Sequence, residues 1–146
     1  MARSSAKAAI TTILTVISFF LPGGLTHYRS PTTYIVGNEF GWDLSIPADT
    51  WASNKTFYAG DILVFRYDYQ LDNMLVVNQT GYETCIPNEG YIEYNTGEDT
   101  IQLAYGGNYF IGTATPGDCW GGMKLAINAL ASDNKDESLK SSYQSL

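Results

Sequence analysis

Apolar and polar positions alternate along this chain in short bursts, each stopped by glycine, proline or a small cluster of polar residues. Thr32-Thr33-Tyr34-Ile35-Val36-Gly37 is β-branched and aromatic and closes on glycine, which predicts a first strand. Thr56-Phe57-Tyr58 predicts a short strand halted at Ala59-Gly60-Asp61. Ile62-Leu63-Val64-Phe65-Arg66-Tyr67 carries the strongest strand signal, because its centre is apolar on both faces, as in a strand buried inside a sandwich. Met74 to Asn78 predicts the next strand, and Gly81 to Cys85 fits one helical turn. Ile101-Gln102-Leu103 alternates, Gly106-Gly107 predicts a hairpin turn into Tyr109-Phe110-Ile111, and Lys124 to Leu130 alternates as a last strand. Asn38 to Ala52, with Gly41 and Pro47, predicts loop, with Trp42 and Trp51 as its core anchors. The pattern holds no long amphipathic helix and no internal repeat. About seven short strands with turn signals roughly every 8–12 residues predict an all-β fold, an antiparallel sandwich or barrel.

The two ends break this pattern. Arg3 and Lys7 precede an apolar run from Ala8 to Leu21, closed by Pro22-Gly23-Gly24. A basic start, a short apolar stretch and a breaker predict a secretory signal peptide over residues 1–26, cut after Thr26. The run is shorter than the roughly 20 apolar residues of a membrane span. Residues 131–146 are polar and charged and predict a disordered tail; with no terminal apolar run, no GPI signal is expected in this chain. One domain, residues 32–130, remains, and a composition 45% hydrophobic supplies its core.

Charge narrows the partners. Eight basic residues face fifteen acidic ones; without the leader the count is six against fifteen, a formal charge of −9. Such a chain neutralises no phosphate backbone, so no nucleic-acid partner is expected, and an anionic membrane surface is equally disfavoured. Two cysteines occur, Cys85 and Cys119. In a secreted chain the default is one disulfide, here closing 34 residues and worth roughly 3–4 kcal/mol in a chain-entropy treatment. The alternative is a free Cys119 thiolate holding a metal, which would leave Cys85 as an odd thiol. Asn54-Lys55-Thr56 and Asn78-Gln79-Thr80 are glycosylation sequons, at Asn54 and Asn78.

No enzyme constellation appears. The single histidine, His27, lies at the end of the leader, so no imidazole base stands beside a serine. No zinc-ligand cluster or dinucleotide fingerprint is present, and Gly106-Gly107 precedes no helix that would make it a phosphate loop. Asp72 and Asp118 have no accompanying nucleophile and are expected to be solvated loop acids. Tyr67, Tyr69, Tyr105, Tyr109 and Trp120 either pack core and loops or line a sugar-stacking groove.

Several pieces, in order and at matching spacing, resemble the phytocyanins, the plant blue-copper-like secreted domains. They are Tyr34-Ile35-Val36-Gly37, Gly41-Trp42, Trp51-Ala52, Ala59 to Tyr67, Asn73 to Val77, Tyr82 to Cys85, Tyr109-Phe110-Ile111, Pro116 to Cys119 and Gly122 to Asn128. The resemblance covers about residues 33–130. It implies a cupredoxin-like Greek-key β-sandwich of about seven strands, with Cys85 and Cys119 as the family disulfide. It also implies where copper ligands would stand. The first histidine of the family precedes an asparagine, and Asp72 holds that place here. The ligand cysteine follows the Tyr-Phe-Ile strand, where this chain has Gly112, or Thr113 if the loop gap is set differently. The second histidine precedes the disulfide cysteine, and here it is Asp118. Only the axial position is kept, as Met123. A blue copper centre needs two imidazoles and a thiolate, so no copper and no other cofactor is expected, and Met123 is expected to be a packing residue. Two carboxylates are also too few for calcium, which takes six or more oxygens. The resemblance to the plantacyanin and early nodulin-like branch implies a secreted, glycosylated, monomeric module of the apoplast or outer plasma-membrane face. Its partners would be cell-wall glycans, arabinogalactan-type material or a receptor ectodomain, met by an open patch around Asp72, Tyr109, Asp118 and Trp120. The wider family implies the alternative, blue-copper one-electron transfer.

Overall fold

A computed structural model describes residues 29–132, so the expected leader, residues 1–26, and nearly all of the expected tail lie outside the described residues. In chain order the elements are β1 (Thr33–Ile35), α1 (Ala48–Ala52), β2 (Ile62–Arg66), β3 (Met74–Val77) and α2 (Gln79–Thr84). They continue with β4 (Ile92–Tyr94), β5 (Glu98–Gln102), β6 (Gly106–Ile111), α3 (Asp118–Gly121) and β7 (Lys124–Ala129). Seven strands make two sheets, ordered β1-β2-β5 and β4-β3-β6-β7. β2 is central in the first sheet, which accounts for its apolar sequence: Leu63 and Phe65 are fully buried, while Ile62 and Val64 are half-buried. Leu63 and Phe65 belong to one core cluster with Met74 of β3, Phe110 of β6, and Leu125 and Ile127 of β7. The Phe65 ring lies 5.0 Å from Phe110 and 5.1 Å from Trp42. Trp42 and Trp51 are buried, as the sequence predicts for core anchors.

The all-antiparallel expectation needs one correction. β1 pairs with β2 in parallel, Tyr34 opposite Leu63. A parallel pair needs a long crossover, and the segment read as loop supplies it, containing a 3-10 turn at Asn38–Phe40 and α1. Thr56-Phe57-Tyr58 is no strand either. Only Tyr58 makes an isolated parallel bridge, to Leu130. The Tyr58 N–H is taken by the Asp61 carboxylate at 3.0 Å, so the chain turns instead of extending. Gly106-Gly107 is not a hairpin turn: both glycines open β6, whose neighbours are β3 and β7, whereas β5 belongs to the other sheet. The 103–105 connection therefore crosses between sheets.

Two further elements lack an apolar signal. β4 has mostly exposed side chains and β5 begins on Glu98-Asp99, so period-two alternation is weak in both. α2 is longer than the predicted turn because the Asn78 side chain caps it, accepting the Gly81 N–H at 2.8 Å. Cys85 closes that helix at φ 54° and is disulfide-bonded to Cys119 of α3. That pairing removes the alternative of a free Cys119 thiolate.

One buried anchor was missed in the sequence. Asp61 is fully buried and accepts Arg29 Nη1 at 2.6 Å, the Thr32 N–H at 2.8 Å and the Tyr58 N–H at 3.0 Å. Burial alone would push its carboxyl up; the Arg29 hydrogen bond and the two backbone donors outweigh it and hold it below the usual aspartate range.

Candidate functional site

Asp72, Gly112, Asp118 and Met123 lie on two of three loops that hydrogen bonds tie together: the segment from Trp42 to Pro47, the turn from Asp68 to Asn73, and the run from Gly112 to Met123. Asn73 ties the first to the others. Its carbonyl accepts the Trp42 indole N–H at 2.9 Å and its side-chain oxygen accepts the Thr113 N–H at 2.7 Å. Its Nδ2 donates to Glu93 at 2.8 Å and to the Thr113 hydroxyl at 3.3 Å. The Gly112 N–H donates to the Met123 carbonyl at 2.7 Å, and the Met123 N–H to the Asp118 carbonyl at 3.0 Å. Gly112 thus faces Met123, whereas Thr113 is committed to Asn73.

A side chain at Gly112 would crowd Met123 and require it to shift. A Cβ there would sit 2.9 Å from Met123 Cε, 3.1 Å from Met123 Cβ and 3.4 Å from Trp42 Nε1. Met123 is 1% exposed and belongs to the main core cluster. Its methyl fills the volume into which a residue-112 side chain would project.

The two acids differ from each other and from the sequence reading. Asp118 is 5% exposed, not a solvated loop acid, and its carboxylate accepts the Thr115 N–H at 2.8 Å. It therefore cannot belong to an open patch. Asp72 is half-buried. Lost hydration raises its carboxyl above the usual range, and the negative charges of Asp118, Asp43 and Asp68 push it further. Three aspartates thus lie close enough for their charge to reach Asp72.

The donor set does not fit a blue copper centre. Converging here are one thioether packed in the core, one carboxylate already hydrogen-bonded to a backbone N–H and another half-buried, with no sulfur or imidazole at position 112 or 72. Among the described residues no group of three or more His, Cys, Asp or Glu is placed to hold a metal ion.

The five aromatic candidates are dispersed. Tyr67 donates to Asp99 at 2.5 Å and packs against the core; burial and the Asp99 carboxylate push its phenol well up. Tyr109 packs against Tyr82 with ring centroids 5.8 Å apart and planes tilted by 43°, and is half-buried. Tyr105 is exposed in the β5–β6 connection. Tyr69 and Trp120 are exposed on the second and third of these loops, and so are Leu44 on the first and Leu71 on the second, which the sequence reading passed over. The available signal was the pattern Asp68-Tyr69-Gln70-Leu71-Asp72, large apolar side chains interleaved with acids in a turn, where burial is not to be expected.

A separate cavity of about 320 Å³ lies between α1 and β7, lined in part by Asp49, Lys55, Phe57 and Asn128. Its charged groups are already engaged. Asp49 accepts the Ala126 N–H at 2.9 Å and the Tyr82 hydroxyl, and Lys55 Nζ donates to the Trp51 carbonyl at 2.8 Å. Both sequon asparagines, Asn54 and Asn78, are exposed; the cap at Asn78 uses only Oδ1 and leaves Nδ2, the glycan-accepting atom, outside that bond.

Residues 42–123 match the model of the plastocyanin-like domain. The chain is 62% identical over 122 residues to early nodulin-like protein 22 of Arabidopsis thaliana, covering 84% of this chain and 87% of that protein. It is 44% identical over 97 residues to the basic blue protein of Cucumis sativus, covering 66% of this chain and 98% of the relative. Among solved structures, cucumber basic protein, a blue copper protein, superposes with TM-score 0.63 at 43% identity over 68% of this chain and all of the other. Cucumber stellacyanin superposes with TM-score 0.59 at 29% identity, covering 70% and 98%.

Proposed function

The chain belongs to the phytocyanin family of plastocyanin-like domains, and on that footing we propose that it is a copper-free member acting as an extracellular binding or structural module. One observation carries the reading: the volume beside Gly112, where a coordinating side chain would project, is filled by the Met123 methyl group. A glycine brings no thiolate, and a buried methionine packed on it is held by its neighbours as a core residue. Asp72 and Asp118 are hard oxygen donors, mismatched to the soft and imidazole donors that blue copper requires.

The leader pattern, the disulfide and two exposed sequons support an extracellular place, in the apoplast or at the outer face of the plasma membrane. Among the described residues no helix is long and apolar enough to cross a membrane. Rigid loops closed by hydrogen bonds instead of a metal suit a surface that recognises a partner, either a wall glycan or a receptor ectodomain.

The competing reading is one-electron transfer, as the names of the blue-copper relatives invite. Anaerobic titration of the secreted chain with Cu(I) and with Cu(II), followed by dialysis, metal analysis and visible spectroscopy, separates the two. The expected result is sub-stoichiometric copper and no intense charge-transfer band. One retained copper per chain together with such a band overturns the copper-free reading.

A further inference from the structure

We infer that the loop end of the sandwich is a docking face for a cationic, apolar segment of another protein, with Leu44, Leu71 and Trp120 as its contact residues and Asp43, Asp68 and Asp72 as its charged rim. This names the partner class of the module proposed above and rests on that reading.

The face is assembled by three loops. Leu44 packs over α3: a Cβ on Gly121 would lie 3.0 Å from Leu44 Cδ2, so Leu44 covers the residue next in sequence to Trp120. Leu44 is 48%, Leu71 63% and Trp120 67% exposed. Their loops are fixed rather than loose. Asp68 accepts the Gln70 N–H at 2.9 Å through its side chain and the Asp72 N–H at 2.8 Å through its carbonyl. Asp43 accepts the Ser45 N–H at 2.6 Å. Large apolar groups are therefore held in water by turns that have other means of closing, an arrangement that burial in a partner would repay.

Charge decides the occupant. Asp43, Asp68 and Asp118 all bear on Asp72, so this end is negative. Neither ion pair among the described residues involves these aspartates; they are Arg29–Asp61 and Arg66–Glu98. The facing cation is Lys124, whose Nζ lies 5.0 Å above the Trp120 ring and 4.7 Å above Tyr82 and covers one side of the indole. A second copy of this acidic chain is repelled by the rim. Residues 133–146 carry three acids and two lysines and so offer no net positive charge. An acidic wall polysaccharide is repelled as well, and a neutral one leaves the rim uncompensated. A protein surface with lysine or arginine around aliphatic side chains answers both features.

The test uses the full secreted chain, ¹⁵N-labelled, with four probes: an amphipathic peptide of lysine and leucine, the same peptide with glutamate for lysine, an oligogalacturonide, and a neutral β-linked glucan oligomer. The expected result is that the lysine–leucine peptide alone perturbs the amides of Leu44, Leu71 and the Trp120 indole. Its affinity falls about tenfold or more in the Asp43→Asn/Asp68→Asn/Asp72→Asn variant and likewise in Leu71→Ser/Trp120→Ser. It also falls as ionic strength rises from about 0.05 to about 0.5 M. The Asn variant keeps the turn acceptors, so its fold stays intact and can be checked from the same spectra. Shifts spread over the whole acidic surface, an affinity unchanged by the Leu71/Trp120 pair, or binding by either oligosaccharide at this face overturns the inference. Copper titration of the same sample is independent of these outcomes, so a failure here is distinguishable from a failure of the copper-free reading.

Discussion

Gly112→Ala is the sharpest test of how the volume beside residue 112 is filled. Gly112 has no positive φ, so alanine suffers no left-handed strain there, and by restricting the unfolded chain it would gain about 0.4–1 kcal/mol. Sterics oppose this gain. The new methyl would stand 2.9 Å from Met123 Cε and 3.1 Å from Met123 Cβ. Cε ends a flexible side chain and can swing; Cβ is fixed to the strand-proximal backbone, so part of the clash persists. Overpacking of this kind costs about 1–3 kcal/mol, which leaves a net loss of between about 0 and 2.6 kcal/mol. Met123→Ala alone should cost about 2–5 kcal/mol, because it empties a fully buried volume. The double variant then loses the Cε clash and refills part of the void. Its cost should fall about 1 kcal/mol or more below the sum of the single variants, a coupling expected only of side chains that share one space. Urea unfolding of the four proteins, compared at common m-values, measures it. Strict additivity, or a Gly112→Ala protein more stable than the parent, would refute the claim that Met123 occupies the residue-112 volume.

Asp72→Asn should stabilise the protein at neutral pH. The folded-state carboxyl is raised, so its charged form is disfavoured by folding; that penalty is present above the ordinary aspartate range and vanishes below it, where both states are protonated. The melting-temperature gain of Asp72→Asn should therefore be largest near pH 7 and shrink towards zero near pH 3, and a gain independent of pH contradicts this origin. Asp61 has the opposite sign: its depressed carboxyl stabilises the fold above the usual aspartate range and loses that contribution as pH falls through its folded value. Asp61→Ala orphans the Thr32 and Tyr58 N–H groups and should cost about 2–4 kcal/mol by denaturant unfolding at pH 7, with the deficit narrowing in acid. Reducing Cys85–Cys119 reopens a 34-residue separation and should cost roughly 3–4 kcal/mol, read as a lower urea midpoint in reductant.

The parts of the fold legible in the sequence are those where burial and backbone period coincide. β2, β3 and β7 announce themselves because their core-facing residues recur at the strand period or fill both faces. β4 and β5 do not. Glu98 pairs with Arg66 at 2.9 Å and Asp99 is buried only because Tyr67 and Thr96 hydrogen-bond it, so polar residues occupy strand positions for reasons that become visible only across the sheet. Phe57 is core yet not strand, since Asp61 captures the neighbouring amide from three residues away. At the candidate site the identities of Asp72, Gly112, Asp118 and Met123 were readable, but their environments were not. Whether a loop aspartate is solvated or buried depends on which backbone N–H it finds, and Thr115 supplies one to Asp118.

The loop end is closed by bonds that need no ion. In a coordination centre the ligands themselves draw three loops together. Here Asn73 does part of that work, receiving Trp42 from one loop and Thr113 from another, while its Nδ2 reaches Glu93 on β4. The Gly112–Met123 backbone bond fixes the start of the third loop to its end, and the disulfide anchors α3 to α2. The Met123 methyl takes the volume beside Gly112. With closure carried by these bonds, the outward-facing residues of the same loops are not needed to hold the loops together. Leu44, Leu71 and Trp120 can then stand in solvent beside aspartates on a rigid base, and rigidity lowers the entropic cost of meeting a partner. The closure of these loops and the surface they present should therefore be separable by mutation: Leu71→Ser should weaken docking without moving the unfolding midpoint, whereas Asn73→Ala should lower the midpoint and degrade the surface together.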